Sequence, residues 1–147
     1  MHLTDGDQIR NLLGRYCHLV DAGDFAGVGE LLARATLCGE HGTPLARGSA
    51  EIAAFYERLV LRYDGRPGTQ HAVANTVLEP AGDGARATST YVVLQAVEGL
   101  PLQPIITGTY RDTFARDETG WHFTERRFAA GLSGRLDRHM AGRAGGS

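Results

Sequence analysis

The chain has 147 residues, of which 42% are hydrophobic and 22% charged, a composition typical of one globular domain. Its formal net charge of -2 provides no concentrated positive field, which argues against nucleic acid as a partner. All 15 basic residues are arginine, so Schiff-base chemistry on a lysine is excluded.

Targeting, membrane and metal signals are all weak in this sequence. No run approaches the ~18 apolar residues of a membrane span, and the N-terminal residues lack the apolar core of a signal peptide. We therefore expect a cytoplasmic protein with no membrane partner. Cys17 and Cys38 have no metal-binding spacing and are predicted to be buried free thiols. Nucleotide-binding and metalloprotease motifs are missing too, so we expect no cofactor and no metal.

The first predicted element is an amphipathic helix. Thr4 and Asp7 resemble a capping box with Asp in the usual Glu position, and apolar residues follow at helical spacing as far as Asp21. The sequence Ala-Gly-Asp at 22–24 ends this helix.

Shorter elements are predicted next. A second helix covers about 25–32, and a short strand lies around 36–40. A turn at 41–44 leads to a third helix, which Ser49 is expected to cap and which continues to about Val60.

From residue 69 the apolar pattern changes to period two, which predicts a β-meander. Its four long strands cover about 69–79, 85–97, 103–115 and 120–130, with short turn signals between them. The predicted fold class is α+β, with three helices covering one face of a twisted antiparallel sheet. One domain covers 1–140, and the Ala/Gly-rich 141–147 is expected to be a flexible tail.

His71 is the first candidate for chemistry. Strand alternation places it on one face with Val73, Asn75 and Val77. Partial burial among apolar neighbours favours the neutral imidazole, which can act as a base. A purely structural histidine is the plainer alternative.

Asp21 is the second candidate. A carboxylate at a helix C-terminus is repelled by the helix dipole, so Asp21 needs either a compensating partner or an exposed position. The sequence leaves both possibilities open.

Strand alternation also gives inward candidates on the later strands. Tyr91, Val93 and Gln95 share a face, as do Gly108 and Tyr110. On the last strand either Arg126 or Arg127 points inward, and the local pattern does not decide between them. Arg126 would share its face with His122, Thr124 and Phe128, and Arg127 with Trp121, Phe123 and Glu125. An inward arginine would bind an anion or a carbonyl oxygen.

Several short motifs in this order resemble one known family. They are Arg15-Tyr16-Cys17, Val20-Asp21-x-Gly-Asp24, Gly48, Thr69-Gln70-His71 with Asn75, Gly108-x-Tyr110-x-Asp112 and Gly120-Trp121. Over about 5–130 the chain resembles the SnoaL-like branch of the nuclear transport factor 2 superfold. It is most similar to the group of scytalone dehydratase, bile-acid 7α-dehydratase and hexachlorocyclohexane dehydrochlorinase. The resemblance implies a cone-shaped fold with a deep apolar pocket and a homodimer formed through the sheet.

The resemblance also implies roles for particular residues. Asp21 would pair with His71, and His71 would be the general base. Tyr16 matches a pocket tyrosine of the bile-acid enzyme. An arginine in the last strand serves two of these enzymes, which favours Arg126 by position, with Arg127 as the alternative.

The chain departs from scytalone dehydratase at several positions of the pocket. The second catalytic histidine of that enzyme falls at Gln95, and two of its substrate contacts fall at Gly108 and Tyr110, so scytalone is not the expected substrate. We expect substrate contacts from Phe55, Tyr56, Asn75, Tyr91, Gln95, Tyr110 and Phe128.

The predicted function is that of a cofactor-independent, dehydratase-like lyase or isomerase. Its partner would be a small, cyclic, hydrophobic ligand that carries a carbonyl group. A natural-product cyclase or pericyclase in the same pocket is one alternative. A non-catalytic ligand-binding or scaffold module is another, because the fold alone does not establish an activity.

Overall fold

Residues 1–142, which the computed structural model describes, form helices and strands in the predicted order. The helices are α1 (Asp5–Ala22), α2 (Phe25–Leu31) and α3 (Gly48–Leu59). The strands are β1 (Thr36–Cys38), β2 (Pro44–Arg47), β3 (Thr69–Ala81), β4 (Gly84–Val97), β5 (Leu100–Asp117) and β6 (Gly120–Ser133).

The strands form one curved, open sheet in the order β2-β1-β6-β5-β4-β3. All neighbours are antiparallel except β1 and β6, which run parallel. The helices pack on one face of this sheet, and their apolar sides share a core with its inward side chains. The α+β fold class and the meander of four long strands are confirmed.

Helix α1 begins and ends as its sequence indicates. The Thr4 hydroxyl accepts a hydrogen bond from the Asp7 amide, and the Asp7 carboxylate accepts one from the Thr4 amide, which completes the capping box. The helix ends at Gly23, whose φ of 73° lies in the left-handed region. A Cβ at Gly23 would lie 2.1 Å from the Gly65 carbonyl oxygen, so glycine lets the next loop pack closely against the end of α1.

Two local features differ from the expectation. Strand β2 was not predicted: it follows the predicted turn at 41–44 and pairs with β1 at the sheet edge. The expected cap by Ser49 is wrong, because α3 already begins at Gly48. At its start the Glu51 carboxylate accepts a hydrogen bond of 2.8 Å from the Arg47 amide.

A β-bulge in β3 breaks the predicted alternation. Asn75 has a φ of 53°, and the pairing with β4 shifts between Ala74 and Val77. After the bulge Thr76 is half-buried, whereas Val77 is 57% exposed. The expectation that Asn75 and Val77 share the face of His71 is therefore wrong.

A second irregularity, in β6, settles the choice between the two arginines. Glu125 pairs with Thr113 and Phe123 with Phe114, so Thr124 is the extra residue. Phe123 and Arg126 consequently both point inward and are fully buried. Arg127 points outward and bonds to Glu125.

The chain after β6 pairs with the end of α3 and the residues that follow it. The Leu61 amide donates to the His139 carbonyl, and the Ala141 amide donates to the Leu59 carbonyl, each at 2.8 Å. Of the predicted tail 141–147, residues 143–147 lie outside the described residues.

Both cysteines are buried free thiols, as predicted. Within the described chain no helix combines the length and the apolar character that a membrane crossing requires.

Candidate active site

A narrow cavity lies between the helices and the concave face of the sheet. It has about 490 Å³ of empty space when its open mouth is included. Aliphatic and aromatic side chains dominate its walls, and its polar groups are four tyrosines and two histidines. The lining residues are Tyr16, Val20, Phe55, Tyr56, Leu59, Val60, His71, Tyr91, Val93, Ile106, Tyr110, Phe128, His139 and Met140.

Asp21 and His71 meet at this cavity. Asp21 lies in the last turn of α1, and His71 is the third residue of β3. The Asp21 Oδ1 and His71 Nδ1 atoms are 2.6 Å apart. The same carboxylate accepts hydrogen bonds of 2.9 Å from the His71 amide and from the Thr69 hydroxyl. Three donors from β3 thus compensate the carboxylate that the helix dipole repels.

These contacts define which nitrogen of His71 carries the proton in the neutral ring. Burial acts to raise the pKa of Asp21, but the hydrogen bonds from His71 and Thr69 outweigh it and hold that pKa below its ordinary value. Asp21 is therefore ionised near neutral pH and can only accept. His71 must donate from Nδ1, which leaves the lone pair on Nε2.

The tyrosines form two close pairs on the cavity wall. The hydroxyls of Tyr16 on α1 and Tyr56 on α3 share a short hydrogen bond. The rings of Tyr91 and Tyr110 are stacked, with centroids 4.3 Å apart. Burial raises the pKa of Tyr16, Tyr56 and Tyr110, and it raises that of Tyr91 to about 12. All four are therefore neutral hydrogen-bonding groups at physiological pH.

Arg126 lies behind this wall and does not line the cavity. Its Nε and Nη2 atoms donate to the two oxygens of Asp112, at 2.7 and 2.9 Å. Its guanidinium carbon is 4.1 Å from the centre of the Tyr16 ring and 3.8 Å from that of Tyr110. The expectation of a direct catalytic contact is corrected, because Arg126 pairs with Asp112 and packs against the tyrosine rings outside the cavity lining.

Other predicted residues divide into two groups. Phe55, Tyr56, Tyr91, Tyr110 and Phe128 line the cavity together with Tyr16 and His71.

Asn75 and Gln95, in contrast, do not line the cavity. The bulge turns Asn75 outward, where its amide donates to the Thr90 hydroxyl. The Gln95 amide is buried and donates to the carbonyls of Pro67 and Arg138, at 3.0 Å each, so it joins two loops. The expectation that they bind substrate is corrected on these grounds.

His139 also reaches the cavity, although no sequence pattern predicts it. This residue follows β6, where no periodic pattern indicates a buried face, yet it is only 3% exposed. Its ring centroid is 6.2 Å from that of His71. The one available signal is local, since Leu136 and Met140 are apolar residues on either side of it in a polar segment.

Charged groups are missing from the lining in the described part of the chain, where no Asp, Glu or Arg reaches the cavity wall. Nor do residues 1–142 contain three His, Cys, Asp or Glu side chains close enough to hold a metal ion. The arrangement provides one oriented imidazole, a pair of phenol hydroxyls and an apolar enclosure. Such a site can bind an uncharged ligand and move a proton.

Comparison with known proteins identifies the family. The family model described as SnoaL-like domain matches residues 1–127. This chain belongs to the SnoaL-like family. No curated protein matches its sequence.

Solved structures agree with this assignment. An NTF2-like protein with a cystatin-like fold from Novosphingobium aromaticivorans is 28% identical, with a TM-score of 0.70 over 91% of this chain and 86% of its own. ActVI-ORFA from Streptomyces coelicolor is 18% identical, with a TM-score of 0.62 over 84% and 94% of the two chains. An NTF2-like superfamily protein from Salmonella enterica is 15% identical, with a TM-score of 0.65 over 90% and 94%.

The SnoaL-like assignment confirms the predicted superfamily and its cystatin-like fold. SnoaL-like proteins are small-molecule-binding or cyclase- and isomerase-like proteins. The closer likeness to the three dehydratase-type enzymes stays a prediction.

Proposed function

We propose that this SnoaL-like protein is a cofactor-independent lyase or isomerase, in which His71 removes a proton next to a carbonyl group. The observation that carries the proposal is the 2.6 Å contact between Asp21 and His71 at the edge of a largely apolar cavity. A general base must be both oriented and in the correct protonation state, and Asp21 supplies both conditions.

The first step is proton abstraction. Nε2 of His71 takes a proton from the carbon beside the carbonyl, and the electron pair of that C–H bond moves onto the carbonyl oxygen as an enolate. The imidazolium that forms is stabilised by the ionised Asp21. Proton transfer to a positioned side chain contributes about 10²–10⁴-fold in rate.

The developing oxyanion needs a hydrogen-bond donor, and the Tyr16–Tyr56 pair supports that role. Their two hydroxyls share one hydrogen bond, so one O–H remains to donate to a ligand. The Arg126 guanidinium, 4.1 Å from the Tyr16 ring centre, supplies positive charge behind the donor. Preorganised donors of this kind act strongly where water is excluded.

The second step distinguishes a dehydration from an isomerisation. In a dehydration the enolate re-forms the carbonyl as a β-hydroxyl leaves, and the proton held by His71 goes to that hydroxyl to give water. In an isomerisation the same proton returns to a different carbon. Both sequences balance without a cofactor.

A natural-product cyclase is the second candidate, and the aromatic wall is the feature that favours it. The stacked Tyr91 and Tyr110 rings and the neighbouring Phe128 would hold a folded unsaturated chain in one conformation. In that case the reaction rate would depend little on His71. Dependence on His71 therefore separates a proton-abstracting enzyme from a cavity that acts through shape.

The test uses a cyclic ketone whose α-protons exchange slowly with solvent. The protein is incubated with α-tetralone in heavy water, and deuterium uptake at the α-carbon is followed by proton NMR. We expect exchange faster than in buffer, lost in His71→Gln and retained in His41→Gln, a change at an exposed histidine.

Binding is measured alongside exchange by calorimetry. Binding of the ketone with no acceleration of exchange would overturn the general base. A failure to bind α-tetralone and its monocyclic analogue cyclohexenone would overturn the proposed ligand class.

A further inference from the structure

His139 is a polar residue of the cavity that has no part in the reaction just described. His139 is 3% exposed and lines the cavity, and its Nδ1 has no hydrogen-bond partner within residues 1–142. Leaving a buried polar atom without a partner is unfavourable. Such groups are uncommon in folded proteins and require an explanation.

The imidazole is not needed to hold the chain in place. The backbone of His139 does that, because its carbonyl accepts from the Leu61 amide at 2.8 Å and its amide donates to the Leu136 carbonyl at 3.0 Å. An apolar side chain would pack in the same position without the cost of an unsatisfied nitrogen. The unpartnered ring nitrogen therefore points to a polar group of a ligand that enters the cavity.

The spacing between the two histidines indicates what that group is. The ring centroids of His71 and His139 are 6.2 Å apart, and the ring planes are inclined at 63°. Two hydrogen bonds of about 2.8 Å to a shared oxygen span up to about 5.6 Å between nitrogens. An oxygen that accepts from His139 therefore lies close to His71, and where it belongs to a hydroxyl it can also donate to the free Nε2 of His71.

The absence of charged side chains from the cavity lining, among the described residues, limits which kind of ligand oxygen can bind there. No arginine lines the cavity in the described chain, and the buried Arg126 already bonds to both oxygens of Asp112. Burial and the nearby His71 lower the pKa of His139 to about 4, so its ring is neutral at physiological pH. A carboxylate placed here would meet no permanently charged cation in the lining, which makes its burial unfavourable.

We infer that His139 contacts the substrate directly, donating a hydrogen bond to an uncharged hydroxyl or carbonyl oxygen. The inference rests on the proposed function, because it places the substrate in this cavity. It narrows the substrate class to uncharged hydroxylated or ketonic compounds and excludes carboxylic acids.

Three probes that differ at the oxygen test it. The intact protein is titrated with α-tetralone, with the hydrocarbon tetralin and with tetralin carboxylate, by calorimetry or ligand-observed NMR. His139→Phe removes the hydrogen bond and keeps a ring, whereas His139→Gln keeps an amide donor. His41→Gln is the control at an exposed histidine.

We expect His139→Phe to weaken α-tetralone binding about 3- to 10-fold and to leave tetralin binding within about twofold, since only one neutral hydrogen bond is lost. His139→Gln should restore most of the ketone affinity, and the carboxylate should bind weakest to the wild-type protein. Equal losses for ketone and hydrocarbon would mean a packing role and would overturn the inference.

A second readout covers the case in which His139→Phe does not fold. The imidazole nitrogen-15 signals of His139 in the wild-type protein should move on addition of α-tetralone and stay in place with tetralin. Signals unmoved by the ketone would overturn the inference. Ketone-selective effects at His139 without α-proton exchange would instead defeat the proposed reaction alone.

Discussion

Arg126 and Asp112 form a fully buried ion pair, with two hydrogen bonds of 2.7 and 2.9 Å between the guanidinium and the carboxylate. Burial works to lower the pKa of Arg126, but Asp112 raises it well above its ordinary value, so the arginine stays charged. Burial raises the pKa of Asp112, while the arginine opposes that shift. The charged Arg126 side chain packs against the rings of Tyr16 and Tyr110, two of the tyrosines that line the cavity.

Removing one member of the pair should destabilise the fold. Arg126→Met leaves Asp112 buried without its partner, and we expect a loss of about 3–5 kcal/mol in the free energy of unfolding. Arg127→Met is the matched control, because its pair with Glu125 is partly exposed and should contribute less than about 1 kcal/mol. Urea unfolding measures both. The double variant Arg126→Met, Asp112→Leu should recover stability, and a double variant no better than the single one would contradict this interpretation.

Two glycine substitutions should change stability in opposite directions. A Cβ at Gly108 would lie 2.2 Å from the Ala129 carbonyl oxygen and 2.4 Å from the Tyr91 hydroxyl, so Gly108→Ala should cost about 1–3 kcal/mol and displace Tyr91. At Gly14, within α1, a Cβ would meet nothing within 4 Å, and Gly14→Ala should stabilise by up to about 1 kcal/mol. Thermal unfolding of both variants tests the packing of the tyrosine wall. A stable Gly108→Ala variant would mean that the wall is looser than described.

His139 should make stability depend on pH. Its pKa falls from 6.5 in the unfolded chain to about 4 in the folded protein, because burial disfavours the charged ring. Below pH 6.5 His139 binds a proton in the unfolded state but not in the folded state. The free energy of unfolding therefore falls as the pH drops toward 4. A shift from 6.5 to about 4 corresponds to at most about 3 kcal/mol.

Denaturant unfolding between pH 4 and 7 measures this effect. His139→Gln should flatten the pH dependence between 4 and 6.5, while His41→Gln should leave it as in the wild type. Equal slopes for wild type and His139→Gln would show that His139 is not buried in its neutral form.

The large elements of this fold follow from local pattern, whereas the departures need tertiary structure. Apolar spacing predicts α1, and alternation predicts the inward positions of Tyr91, Val93 and Gln95, because a side chain's face in a regular element depends only on its place in the period. Bulges at Asn75 and Thr124 reset that period, and they depend on how neighbouring strands twist. For this reason the prediction for Asn75 is wrong, and local pattern alone does not decide between Arg126 and Arg127.

Long-range contacts in the site were also beyond local pattern. His139 reaches the cavity because the segment after β6 pairs with the residues that follow α3. No periodic pattern in the sequence predicts that pairing. The pairing of Asp21 with His71 was available only from the family resemblance, since the two residues are far apart in the chain. Gln95 was correctly predicted to be buried, but its bonds to two loops could not be read from its strand.

Asp21→Asn should impair the proposed proton abstraction. The amide keeps the size of the side chain but removes the charge that stabilises the imidazolium and orients its tautomer. We expect α-proton exchange to fall by about 10²–10⁴-fold, with ketone affinity little changed. Asp83→Asn, in the exposed hairpin turn between β3 and β4, is the control. A normal exchange rate in Asp21→Asn would remove the carboxylate from the mechanism.

The tautomer of His71 tests the central claim most directly. Nitrogen-15 NMR of the unliganded protein distinguishes a protonated from an unprotonated ring nitrogen. The contact with Asp21 predicts a protonated Nδ1 and a free Nε2 in the wild-type protein, with the preference weakened in Asp21→Asn. A protonated Nε2, or a mixture of tautomers that Asp21→Asn does not change, would mean that Asp21 does not prepare His71 to act as a base.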